Sequence, residues 1–176
     1  MGTISIGAVQ LGYALASWNT VSLAYSKKEG WDEDPVKILV IQTVTVAGVA
    51  TGALTSGIIS HIGRLNCLIL ANFILDIGVL LTLIEDFEVL CIGRFLYGVG
   101  AGSFSVFGPL YVSETSPIEV SGPLGASTQI GISTGVLLVF SVGMGIGDVD
   151  FDDESSFEIR YYWYIIFLLP IAISLI

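Results

Sequence analysis

Charge is what this sequence has least of. Asp, Glu, Lys and Arg make up 12% of its 176 residues, where soluble domains use about 25%. That is too little to coat a water-soluble domain of this size, which excludes a soluble enzyme. Basic residues are scarcer still, six Lys and Arg against sixteen Asp and Glu. No basic patch can form, so nucleic acid is excluded as a partner. One histidine, His61, has no ligand partners around it in sequence, so it reads as a solvated loop residue, and no metal or other cofactor is expected. There are two cysteines, Cys67 and Cys91. They open successive long apolar runs and so belong at opposite faces of a membrane, about 25–30 Å apart. A disulfide needs alpha carbons within about 7 Å, so both are expected as free, small, apolar residues.

What the sequence has in abundance is hydrocarbon. Apolar residues reach 53%, gathered into runs separated by short charged clusters. A helix needs about 20 apolar residues to cross a bilayer. Residues 3–26, 38–60, 65–84, 89–110 and 120–147 satisfy this, and 161–176 is a shorter run. The first run has no basic start and is too long for a signal peptide, so it is expected as a span. Backbone amides in lipid must pair within the segment, which makes each run a helix, and the alternation of a transmembrane barrel is missing. The expected fold is therefore all-α: a polytopic bundle of six transmembrane helices forming a single membrane domain over 1–176. Its short connections, among them Glu85–Glu88 and the polar Val112–Glu119, force antiparallel neighbours.

Thirteen of the sixteen acids fall in Glu29–Asp34, Glu85–Glu88 and Asp148–Glu158, loops that alternation places on one side and that read as solvated. That side also holds Lys27, Lys28, Lys37 and Arg160, against Arg64 on the other. The bias of Lys and Arg to the cytoplasm would put the acidic loops inside.

Glycines recur within the spans. Gly98, Gly100 and Gly102 suggest a phosphate cradle, but the sixth position of that motif is Ser103, and the acids near the ribose distance, Glu114 and Glu119, fall in a loop outside any such unit. Membrane packing explains them directly: small residues let helix backbones approach where burial of apolar surface gives no drive. Gly98 and Gly102 form one face, and Gly93, Gly100 and Gly108 thin others. Gly48, Ala50, Gly52 and Ser56 repeat the pattern in the second run, and Gly122, Gly125, Gly131 and Gly135 in the fifth. Arg94 and Asp76 lie within spans, where an ion costs from about 2.5 kcal/mol upward. Their depths differ by roughly 5 Å at about 1.5 Å per residue, so an intramembrane ion pair is expected.

Gly93-Arg94-Phe95, Gly98, Gly102, Pro109-x-Tyr111-x-x-Glu114-x-x-Pro117, Gly122 and Gln129, in this order and spacing, resemble the fourth and fifth spans of the sugar porter family of the major facilitator superfamily. Gly63-Arg64-Leu65 resembles the loop after that family's second span, and Gly12-Tyr13 with Asn19 its first span. The likeness runs from about Gly12 to about Trp163, nearest to the facilitative glucose transporters. It implies an N-terminal six-helix half, built from inverted three-helix repeats, with a second half completing a mid-membrane site. It also implies that the acidic loops face outward, the reverse of the charge count.

In that family's pattern Gln129 hydrogen-bonds sugar hydroxyls, a task suited to an amide that donates and accepts. Ile132 matches a wall position, and Asn19 is a further cavity-lining candidate. Gly63, Arg64, Arg94, Pro109, Tyr111, Glu114 and Pro117 match its gating motifs. Ala14 stands where proton-coupled members carry an acid, so facilitated transport of a hexose or similar sugar is implied. Leu65, Ser121 and Ser60 stand where the family places cytoplasmic charges, leaving Arg64 and Glu114 of the latch. The chain is expected to need the other half for transport. The alternative is a membrane subunit that kept the fold without transporting. Expected partners are the lipid bilayer, a sugar, and a second six-helix half or another membrane subunit.

Overall fold

The computed structural model describes residues 2–28, 35–84, 86–115, 118–144 and 166, with side chains left out at 2–7, 14, 23–28, 35, 62, 118–121, 123 and 124. Five α-helices carry the described residues: α1 (Gly2–Lys28), α2 (Pro35–Ile59), α3 (Arg64–Thr82), α4 (Phe87–Thr115) and α5 (Ile118–Met144). There is no strand among the described residues. The sixth run, 161–176, lies outside them except for Ile166, which is helical. Pro117 and the acidic stretches 29–34 and 148–158 lie outside them as well.

Four helices are long and apolar enough to cross a membrane among the described residues: Val36–Ile59, Arg64–Thr82, Phe87–Thr115 and Gly125–Met144. Their surfaces invert the pattern of a soluble bundle. Leu54 and Ile58 on α2, Ile69 and Phe73 on α3, and Leu137 on α5 are each more than half exposed. Gln10, Ser17, Ser56, Ser103 and Arg94 are buried. Exposed large apolar faces around polar interior groups suit a hydrocarbon solvent. The hydroxyls of α2 follow the same rule. Thr43, Thr45 and Thr55 each donate to a carbonyl one turn back, at 2.8–2.9 Å, so none is left unbonded in lipid.

α4 is the central helix, packed on α2 and α3, while α1 packs on α5. Glycine makes both seams. A methyl on Gly98 would strike the Thr45 carbonyl, and one on Gly102 the Val49 carbonyl, both in α2. A methyl on Gly100 would come within 2.8 Å of the Ala71 carbonyl, and one on Gly93 within 3.0 Å of the Gly78 carbonyl, both in α3. The two sets sit roughly 170° apart around a helix that turns about 100° per residue. α2 answers with Gly48 and Gly52, and α3 with Gly78. Ser103 Oγ adds a 3.2 Å donation to the Gly52 carbonyl. The α1–α5 seam is built the same way, with Gly12 against the Ile132 backbone and Gly135 against Val9 and Tyr13. The contacts run in register along α2 and α4 and along α1 and α5, which are parallel, and in opposite order along α3 and α4, which are antiparallel.

Several sequence expectations need correction. The described residues of Val112–Glu119 are helical and not loop: α4 continues to Thr115 and α5 begins at Ile118. Proline ends helices in water, where its lost amide bond and ring clash decide, but in a membrane the helix persists around it. The tight turn is not Glu85–Glu88, because α4 begins at Phe87 and its first amide bond runs from Leu90 to the Asp86 carbonyl at 2.8 Å. Among the described residues Gly122 and Gly125 have no neighbour within 4 Å of an added methyl, and Gly108 meets only Phe104 of its own helix. Ala50 is exposed rather than packed. Cys67 and Cys91 are free.

Candidate functional site

Gly122 and Gly125 meet nothing because α5 parts from its neighbours there. Beyond Gly135 it is locked to α1. Toward its start it diverges and leaves a cavity of about 240 Å³. α1 contributes Ala8 and Leu11 to the wall, and α4 contributes Phe104, Ser105 and Pro109. α5 contributes Gly125, Thr128, Gln129 and Ile132. Positions 125, 128, 129 and 132 share one helix face by the i, i+3, i+4 rule. The Gln129 side chain is exposed at this wall. The lining is apolar with a few polar groups, the usual make-up of a small-molecule site. Its volume falls below the roughly 300–1,000 Å³ of whole ligand clefts.

Of the sequence-predicted residues, Gln129, Ile132 and Pro109 meet at this cavity. Asn19 does not line it; its Oδ1 accepts from Gln42 Nε2 at 2.6 Å, tying α1 to α2. Arg64, the first residue of α3, reaches the end of α4. Its Nε lies 3.1 Å from both Glu114 carboxylate oxygens, and one terminal nitrogen lies 2.9 Å from Oε1. Such a fork fixes direction as well as charge. Gly63 sets it up: at φ 107° and ψ 139° it takes a backbone conformation closed to other residues. That turns the chain from the 3-10 turn Ser60–Ile62 into α3. Tyr111 is half-buried on α4, and its carbonyl accepts from Thr115 Oγ1 at 2.7 Å.

Arg94 is 1% exposed. Its guanidinium carbon lies 4.6 Å from the centroid of the Trp18 ring and 5.7 Å from that of Tyr97. Aromatic faces stabilise a desolvated cation by about 2 kcal/mol. Sequence reasoning paired Arg94 with Asp76 by depth and missed Trp18. The same depth count, applied to aromatics of α1, would have found it. It also missed Tyr13, whose buried hydroxyl donates to the Ile166 carbonyl at 2.8 Å.

Long glycine-seamed helices with an apolar exterior, a buried arginine and a cleft between α1, α4 and α5 define a polytopic membrane helix bundle. Solved structures share it. The crystal structure of a D-xylose-proton symporter superposes with a TM-score of 0.77 at 19% identity, covering 98% of this chain and 46% of that one. The inward-open xylose transporter XylE from E. coli gives 0.79 at 20%, covering 98% and 44%. At that identity the likeness establishes the major facilitator fold.

The family model for Sugar (and other) transporter matches residues 1–176, and the chain belongs to this family, the sugar porters of the major facilitator superfamily. Hexose transporter 1 of Toxoplasma gondii is 28% identical over 188 residues, covering 97% of this chain and 33% of that protein. Facilitated glucose transporter member 3 of solute carrier family 2, from Oryctolagus cuniculus, is 30% identical over 158 residues, covering 81% and 32%. The chain spans about a third of the length of these relatives. It is an integral, multi-pass membrane protein and not an enzyme.

Proposed function

We propose that these residues form one wall of the sugar site of a facilitative carrier, with a second six-helix half supplying the other. The observation that carries this is the meeting of Gln129 and Ile132 at the cavity between α1, α4 and α5. A hexose or similar sugar is the class of ligand, because Gln129 can accept from one hydroxyl and donate to another. The relatives named for hexose and glucose transport support that class. A volume below that of a whole cleft suits a site divided between two halves. Transport then proceeds by rocking of the halves around the bound sugar, and residues 1–176 form a single domain within that scheme.

Ala14 offers no titratable group, which favours a facilitative mechanism over proton coupling. Arg64 and Glu114 act as the latch of one closed state, with Gly63, Pro109 and Tyr111 shaping its backbone; Pro117 belongs to the same motif and lies outside the described residues. Asp76 balances the Arg94 charge within the membrane. The second reading, a non-transporting subunit, draws on Leu65, which is 57% exposed where the family places a charge.

The test is saturation-transfer NMR of D-glucose with the chain in lipid nanodiscs. The wild type binds, and Gln129→Ala weakens binding about tenfold, as loss of one or two hydrogen bonds does. Absence of binding, with the chain held in a larger membrane assembly, supports the subunit reading instead. Glucose flux into liposomes holding only this chain, blocked by Gln129→Ala, would refute the need for a second half.

A further inference from the structure

Pro109 sits inside α4, and the helix continues past it to Thr115. Proline has no amide hydrogen, so the carbonyl four residues back loses its helical partner. That carbonyl belongs to Ser105. Residues at i and i+4 share a helix face, and Ser105 and Pro109 both line the cavity. Its own hydroxyl does not make good the loss, since Ser105 Oγ donates to the Gly102 carbonyl at 2.7 Å. In a membrane a carbonyl released in this way is satisfied by a neighbouring helix, a hydroxyl or water. Here Ser105, on α4, lines the same cavity as Gln129, on α5.

Resting on the reading of that cavity as a sugar site, we propose that the Ser105 carbonyl, released by Pro109, accepts a hydrogen bond from one hydroxyl of the bound sugar while Gln129 engages another. The two walls differ in chemistry. With its hydroxyl proton committed to Gly102, Ser105 presents only acceptors. The Gln129 amide presents both donor and acceptor. The ligand class this selects is a polyol with hydroxyls on two edges, one of which must donate toward α4. A ligand with an ether or a hydrogen at that edge leaves the Ser105 carbonyl dry and is discriminated against, because an unsatisfied polar group carries its full desolvation cost.

The experiment uses the chain in lipid nanodiscs, with D-glucose and its 2-, 3-, 4- and 6-deoxy analogues as probes, and Pro109→Ala as the variant. Alanine restores an amide that recaptures the Ser105 carbonyl. Three results are expected. The amide restored at position 109 is protected from hydrogen exchange, and glucose affinity falls three- to tenfold, the value of one hydrogen bond. One deoxy analogue, weak on the wild type, binds wild type and variant alike, because the hydroxyl it lacks is the one Ser105 receives.

Unchanged glucose affinity would overturn the inference. So would equal weakening of glucose and every analogue, which would make Pro109 a shaper of the helix alone. A restored amide that exchanges as freely as a surface amide would also sink it, since the Ser105 carbonyl would then be engaged elsewhere. The underlying reading is tested separately. Loss of binding in Gln129→Ala with full binding in Pro109→Ala removes this inference and leaves the sugar site. Glucose binding insensitive to Gln129→Ala, or no binding to the wild type, removes both.

Discussion

The two ends of α5 carry the same residue to opposite effect. At Gly135 the helix touches α1 so closely that any side chain would run into the Val9 carbonyl. At Gly122 and Gly125 a side chain would meet nothing within 4 Å. Glycine is thus a fastener in one half of the helix and an absence of obstruction in the other. The closed half holds α5 in place, and the open half keeps room beside Gln129. A run of small residues therefore does not by itself say whether a neighbour is pressed against it or space is being kept.

The hardest blow to this contrast is leucine at each end. Gly135→Leu drives a bulky side chain into backbone that cannot yield. It is expected to cost roughly 3 kcal/mol or more, read as earlier unfolding in a denaturant titration of the nanodisc-extracted protein. Gly125→Leu leaves that titration near wild type but fills the cavity and removes the glucose saturation signal. Alanine sharpens the contrast through its sign. Gly135→Ala destabilises by about 1–3 kcal/mol. Gly125→Ala stabilises by about 0.5–1 kcal/mol, because in open space only the gain in helix propensity remains. Two destabilisations of equal size would mean that α5 packs alike along its length. The smallest effect is Arg64→Ala. Arg64 and Glu114 are 32% and 43% exposed, so their pair contributes at most about 1 kcal/mol to unfolding. Its loss should leave both ends of α5 as they were.

How much of this was legible in the sequence depends on the range of the signal. Span positions were, because hydropathy is a local property: α1, α2, α3 and α5 begin and end within a few residues of the apolar runs. The packed face of Gly98 and Gly102 was legible as well, since four-residue spacing fixes a face. So was the common face of Gln129 and Ile132. The end of α4 was misread because Val112–Glu119 is polar, and hydropathy marks where an apolar run stops and not where its helix does. Gly122 and Gly125 were misread as packing residues because spacing shows which residues share a face and not what lies opposite. The Trp18 contact of Arg94 was missed for a related reason. A cation can be neutralised by an acid or sheltered by a ring, and depth along the spans was matched to the acid alone.

The two glycine faces of α4 have a consequence for how this chain tolerates change in length. Gly98 and Gly102 address α2 while Gly93 and Gly100 address α3, so both neighbours read the same ten residues. Adding or deleting one residue between Gly93 and Gly102 would turn all that follows by about 100°. Each flanking helix would then confront bulk where it now finds a groove. Substitutions along this stretch can be absorbed one at a time, but its residue count cannot drift, and descendants of this sequence should vary in spelling there without varying in register.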